Sequence, residues 1–264
     1  MQLFKKIIIS LVTCHLSLVA TQNAQAFSVH HDFIAHIGIF DAGRITFEYG
    51  LTPKNYTVAS AIKTNGFFNA LYPFEAVFTT AGAIKNHELK TASYEYRLKS
   101  RFNRRTKELV YDDHGQPVYI ITSKNDREKK KRPVALPQDT GTTTDLQTAF
   151  AKLARQYEQV NFCDSQMEIF DGKRLYSIIF RNEGKEKIEK NKFSPFAGLA
   201  TKCSMHIDKP VEDGKGLLWE IAGEKPIYFW ILEQEGKPFI ARAEISETPL
   251  GALRIYTKNI TIKE

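Results

Sequence analysis

Arg44-Ile45-Thr46-Phe47-Glu48-Tyr49 sets Ile45, Phe47 and Tyr49 on one side of an extended chain and Thr46 and Glu48 on the other. That is the period-two alternation of a half-buried β-strand. Tyr56-Thr57-Val58-Ala59-Ser60-Ala61-Ile62 repeats the rhythm. Just upstream, Asp41-Ala42-Gly43 supplies turn chemistry, so Phe33 to Phe40 and Arg44 to Leu51 are expected to be the arms of a hairpin. Further strands are expected at Glu88 to Leu98, Lys107 to Tyr111, Val118 to Ser123, Gln166 to Phe170, Arg174 to Phe180, Ala200 to Ile207, Ile227 to Glu233, Phe239 to Glu247 and Ala252 to Ile262. Strand after strand joined by short turns predicts an antiparallel sheet.

One segment departs from this rhythm. From Asp145 to Val160, Leu146, Ala149, Phe150, Leu153, Tyr157 and Val160 fall at helical spacing, with Lys152, Arg155, Gln156 and Glu158 on other faces. Thr144 with Gln147 three residues on matches a capping box, which satisfies free backbone N–H groups in the first turn. A lone amphipathic helix among strands is expected to cover the sheet's concave face or plug an open end. The fold class is therefore mainly β (α+β), a curved antiparallel sheet or half-barrel with one covering helix.

Outside that unit, the first 26 residues read as a secretory signal. Lys5 and Lys6 open it, Ile7 to Ala20 is largely apolar, and Ala24-Gln25-Ala26 is a small-x-small cleavage site. The apolar run is shorter than the roughly 20 residues of a spanning helix. Leu11-Val12-Thr13-Cys14 is a poor match to a lipoprotein processing box, because Thr13 is bulky and more apolar sequence follows. The expectation is cleavage after Ala26, a periplasmic destination and a single β-rich domain over residues 27–264.

Charge is mildly basic. The formal net of +7 becomes +5 without Lys5 and Lys6, which favours anionic surfaces without demanding nucleic acid. Much of it sits in Lys124-Asn125-Asp126-Arg127-Glu128-Lys129-Lys130-Lys131-Arg132, followed by Pro133, Pro137 and a Gly/Thr-rich stretch to Thr144. This reads as a solvated linker over about 124–144. The sharper alternative makes Lys124, Arg127, Lys129, Lys130, Lys131 and Arg132 a contact for an anionic membrane, where clustered basic residues contribute on the order of 1 kcal/mol each. An exported protein would meet no nucleic acid there.

Cysteine usage fits export. Without Cys14 two cysteines remain, Cys163 and Cys203, 40 residues apart; in an oxidising space they read as a disulfide, with two buried free thiols as the alternative. Catalytic motifs are absent: no serine lies in Gly-x-Ser-x-Gly, there is no His-Glu-x-x-His, and no lysine lies in a phosphate-binding loop. His30-His31-Asp32 is the one local cluster with metal-ligand chemistry, and its place at the mature terminus argues for no metal site. Asp171-Gly172 between two strands reads as a hairpin turn and not as a catalytic acid. No enzyme activity and no cofactor is expected.

Aromatic residues are the remaining signal. Phe67, Phe68, Tyr72, Phe74 and Phe78 cluster after Gly66, and Tyr228-Phe229-Trp230 must place rings on both faces of one strand. They could fill a two-sided core. They could also line, with Phe150, Leu153 and Tyr157 of the helix and with Trp230, an apolar cavity for an acyl chain.

The order of these features resembles a known family. The Phe170-Asp171-Gly172-Lys173-Arg174-Leu175-Tyr176 turn lies between Cys163 and Cys203, after a helix beginning Asp145-Leu146-Gln147 and ahead of Trp219, Pro226, Trp230 and Pro238. The early Gly38-Ile39-Phe40-Asp41-Ala42-Gly43 hairpin and the Tyr94 to Asp112 strand pair fit the same layout. It is similar to an uncharacterised Gram-negative envelope family, domain of unknown function 3108, over about Asp32 to Ile262. The proline expected within Leu89 to Tyr94 is missing and the basic linker is long for the family. The resemblance implies a fold similar to the periplasmic lipoprotein carriers, whose half-barrel and helix enclose an apolar cavity, and it brings no catalytic residues. The expected function is non-catalytic binding of a lipid, lipoprotein or other hydrophobic envelope component inside the sheet. The alternative is a structural or interaction protein of the envelope with no small-molecule ligand.

Overall fold

A computed structural model describes residues 26–137, 140–208, 225–248 and 250–263. The expected signal and Trp219 lie outside these residues. The chain runs through β1 (Phe27–Ile37), β2 (Phe40–Leu51), β3 (Asn55–Thr64), α1 (Gly66–Leu71), β4 (Phe74–Lys85), β5 (Glu88–Ser100), β6 (Arg104–Tyr111), β7 (Pro117–Lys124), β8 (Lys130–Pro133) and β9 (Thr143–Thr144). Then follow α2 (Leu146–Val160), β10 (Ser165–Phe170), β11 (Leu175–Ile188), β12 (Gly198–Asp208), β13 (Ile227–Gln234), β14 (Lys237–Ile245) and β15 (Leu253–Lys263). No helix among the described residues is long and apolar enough to cross a membrane.

The fifteen strands of the described residues belong to one sheet in the order β8 to β1, then β15 down to β9. The first strand thus sits mid-sheet and pairs with the last (Ser28 opposite Lys263, Ile37 opposite Leu253). Every ladder is antiparallel except the two-residue β9–β10 pair. A sheet this wide, with the ordinary strand twist, curls on itself. Its far ends meet through side chains, not through a ladder. Phe170 and Leu175 of the β10–β11 hairpin pack with Tyr94, Leu109, Tyr111 and Ile120 of β5 to β7, which makes the sheet barrel-like.

Local chemistry explains where the hairpins turn. The β1–β2 turn is Gly38-Ile39, two residues before the expected Asp41-Ala42-Gly43, with Gly38 at φ 58°. Asp41 instead lies opposite His36 after a bulge, so its turn chemistry is spent on Arg44 and Asn65, which donate to its carboxylate at 2.6 and 3.0 Å. The stretch expected as a linker contains β8, hydrogen-bonded to β7 from Tyr119–Pro133 to Thr122–Lys130. Its Lys130, Lys131 and Arg132 are exposed, and such a charged edge resists pairing with other chains. Two strands there escape a pattern search because neither alternates apolar with polar residues.

The helix α2 closes one end of the barrel. Its N-cap is Asp145, not Thr144: the carboxylate accepts from the N–H groups of Gln147 and Thr148 at 3.0 and 3.1 Å. The same buried carboxylate takes the hydroxyls of Thr80 (2.8 Å), Thr91 (2.9 Å) and Thr148 (2.6 Å), tying the helix start to β4 and β5. Tyr56 adds a hydroxyl contact to Thr148 at 2.8 Å. Its ring lies where a Cβ on residue 82 would be, which is why residue 82 is glycine, opposite the bulge that Ala92 makes in β5. On the other flank Ala149, Leu153 and Tyr157 pack against Ile169, Ile178, Phe180 and Phe229. Burying a side chain of that size contributes roughly 1.5–3 kcal/mol. Just beyond the helix, Cys163 is disulfide-bonded to Cys203 of β12, with Cα atoms 6.2 Å apart.

Candidate ligand cavity

With α2 across one end, the opposite end is open among the described residues. The register places the β1–β2 turn, α1, the β5–β6 and β7–β8 connections, the β10–β11 turn and the β14–β15 loop together at that open end. Between mouth and helix lies a cavity of about 2060 Å³. Sites for drug-sized ligands are about 300–1,000 Å³, and this space is larger than that.

Its walls are inward-facing positions of the two-residue rhythm. Phe33, Ile45, Phe47 and Ile62 come from the first hairpins, Phe229, Ile231 and Ile255 from the last strands, and Phe150 and Ala154 from the helix. Ala154 is exposed although it lies on the inner side of α2, because it faces the open space. Of the residues expected to line a cavity, Phe68, Tyr72, Phe74, Phe78, Phe150, Leu153 and Tyr157 do so. Phe78 stacks on Tyr96 with ring centroids 5.0 Å apart. Two expected members are elsewhere. Phe67 points into solvent beside the mouth, 61 % exposed on a short helix the pattern did not foresee. Trp230 faces the convex side, packed with Ile188, Ala200 and Ala241 and covered by the Arg242 guanidinium at 4.5 Å. Its neighbour Phe229 takes the inner place. A run of three aromatics says that both faces are apolar but not which ring points inward.

Polar groups in the cavity are few and sorted. Basic side chains gather at the mouth: Arg44 and Lys63 on one side, Arg105, Lys107, Lys124, Arg127, Lys130 and Lys173 on the other. Lys129, Lys131 and Arg132, expected with them as one contact, do not reach the cavity. Burial pushes the Lys107 ammonium below the usual lysine range, against the pull of Asp171. Deeper in, His31 lies between Phe33 (4.5 Å between rings) and Phe239 (5.7 Å). Burial lowers it to about 4, with Asp32 opposing the shift and His30 adding to it, so near pH 7 it is neutral and the wall stays apolar. At the helix end, Glu158 pairs with Lys237 at 2.6 Å.

The arrangement combines apolar walls, a closed end and a cationic mouth. Among the described residues no cluster of three or more His, Cys, Asp or Glu could hold a metal ion. The β10–β11 turn, considered above as a catalytic acid, spends its carboxylate on its own backbone. Asp171 accepts from the N–H groups of Lys173 and Arg174 at 2.7 and 2.8 Å.

The crystal structure of a β-barrel-like protein of domain of unknown function DUF1849 from Brucella abortus is similar to this chain at a TM-score of 0.54. The two are 11 % identical, and the match covers 90 % of this chain and 98 % of the other; at that identity the likeness concerns the fold. No curated protein matches the chain. A family described as a protein of unknown function, DUF3108, matches residues 32–257, from β1 to β15, and the chain belongs to that family.

Proposed function

We propose that this protein is a non-catalytic periplasmic carrier that holds an anionic lipid, or the acyl chains of a lipoprotein, inside its barrel. The observation that supports this reading is the cavity of about 2060 Å³ with aromatic and aliphatic walls, closed by α2 and rimmed by basic residues. A filled core would leave few voids larger than a water molecule. Here Ala154 is exposed on the inner side of α2, and Phe150 and Phe78, packed on one side against Phe180 and Tyr96, border the open space on the other. Acyl chains would lie along Phe33, Phe47 and Phe229, and an anionic headgroup would meet Arg105, Lys107 and Lys124. Export rests on the leader-like first 26 residues and agrees with the Cys163–Cys203 disulfide. Mass spectrometry of an organic extract of protein purified without detergent tests the reading. Lipid at near-stoichiometric amount is expected. None, with the cavity collapsed in a crystal structure, would favour an envelope protein that works through its surface alone.

A further inference from the structure

Seven of the eleven large apolar side chains exposed among the described residues stand at the open end of the barrel. They come from four connections: Ile39 (83 % exposed) and Phe40 from the β1–β2 turn, three residues from α1 and its C-cap, Phe102 (79 %) from the β5–β6 turn, and Leu250 from the β14–β15 loop. The tips support one another. The Phe40 and Phe67 rings are 6.3 Å apart, and Arg101 donates to the main-chain oxygen of Ala70 at 2.8 Å. An apolar arc around one end of a domain needs an environment that covers it.

The charge beside the arc says which. Residues 99–105 hold four basic and no acidic side chains, and residues 124–132 hold six basic against Asp126 and Glu128. The Arg104–Asp126 ion pair at 2.8 Å joins the two segments. Their excess of eight positive charges, ten less two, exceeds the net +7 of the whole chain. Apolar tips flanked by clustered Lys and Arg match the two layers of an anionic bilayer surface, acyl boundary and phosphate.

We propose that the mouth end docks on an anionic phospholipid bilayer. The apolar tips enter the headgroup–acyl boundary, segments 99–105 and 124–132 lie over the phosphates, and the cavity opens onto the lipid. This surface extends beyond the cavity and does not depend on what the cavity holds.

Co-sedimentation with vesicles of phosphatidylglycerol and phosphatidylethanolamine, against vesicles of phosphatidylcholine alone, tests it. The protein is expected to bind the anionic vesicles, less so as salt rises. The double variant Ile39→Ser/Phe102→Ser should lose binding by about tenfold or more, in line with the apolar area it removes from the interface. Arg101→Glu with Lys129→Glu should weaken binding to the anionic vesicles. A tryptophan placed at Phe102 should shift its emission to the blue on adding vesicles, and one placed at Leu199, at the closed end, should not. All these positions are on the surface, so circular dichroism should match the parent. Equal binding by parent and tip variants overturns the proposal. So does the absence of vesicle binding, the result expected if the mouth served a protein partner. The cavity-filling variant Ala154→Trp should dock as the parent does, which separates docking from cargo. A protein that carries lipid yet ignores vesicles keeps the cavity reading and loses this one.

Discussion

The Lys107 ammonium donates a 2.6 Å hydrogen bond to the main-chain oxygen of Asp171, across the seam where β5 to β7 meet the β10–β11 hairpin without a ladder. A partly buried lysine held this way closes the barrel while leaving its positive charge at the mouth. Lys107→Met keeps the packing stem and removes the bond. It should cost about 1.5–3 kcal/mol, the usual worth of a hydrogen bond to a charged group. Urea unfolding gives the total. Hydrogen exchange should quicken first at Leu109 and Phe170, and unchanged exchange there would mean that apolar contact alone holds the seam.

Asp145 carries a second structural load. Five donors converge on its carboxylate: two backbone N–H groups and the hydroxyls of Thr80, Thr91 and Thr148. Asp145→Ala orphans them in a buried place and removes the helix cap, so a loss of at least about 3 kcal/mol is expected. Asp145→Asn should fall between the two in thermal unfolding. A near-neutral alanine variant would contradict the anchoring of α2.

Breaking the Cys163–Cys203 bond should also destabilise. The closed loop spans 40 residues, for which chain entropy gives about 4 kcal/mol. Cys163→Ser/Cys203→Ser should unfold at markedly lower urea than the oxidised parent, and a reducing agent should narrow the difference between the two.

Acid should weaken the fold through His31. Its folded-state pKa is lowered to about 4 from 6.5, so between these values the unfolded chain binds more protons. Stability contributed by the neutral ring is whole above about pH 6.5 and falls as pH drops toward 4. At pH 5 the loss should be on the order of 2 kcal/mol. His31→Phe should flatten urea midpoints between pH 7 and pH 5; an unchanged slope would assign the acid sensitivity to other groups.

Much of this was legible before the fold was known. Ile45, Phe47 and the strands around them follow from alternation, and the helix from Ala149, Leu153 and Tyr157 at helical spacing. The strand Phe74–Lys85 was missed. Ala76, Thr79, Thr80, Ala81, Gly82 and Ala83 are small or polar residues, chosen for close approach to Tyr56 and Asp145 and not for apolar contrast. The cap at Asp145 is hidden behind the familiar spacing from Thr144, because the partners of the Asp145 carboxylate are threonines 54 and 65 residues away. Trp230 reads as an inward residue as easily as Phe229 does, because alternation fixes pairs of faces, not their sense. The basic cluster was visible, but its neighbourhood with Ile39 and Phe102 is made by sheet register.

Binding inside the cavity can be measured directly. Displacement of a fluorescent fatty acid, cis-parinaric acid, compares the parent with Ala154→Trp, whose indole would occupy the cavity from an exposed position on the inner face of α2. Saturable binding by the parent and a loss of about tenfold or more in the variant are expected, with unfolding unchanged. Equal probe binding by both, or none by a delipidated parent, would contradict it.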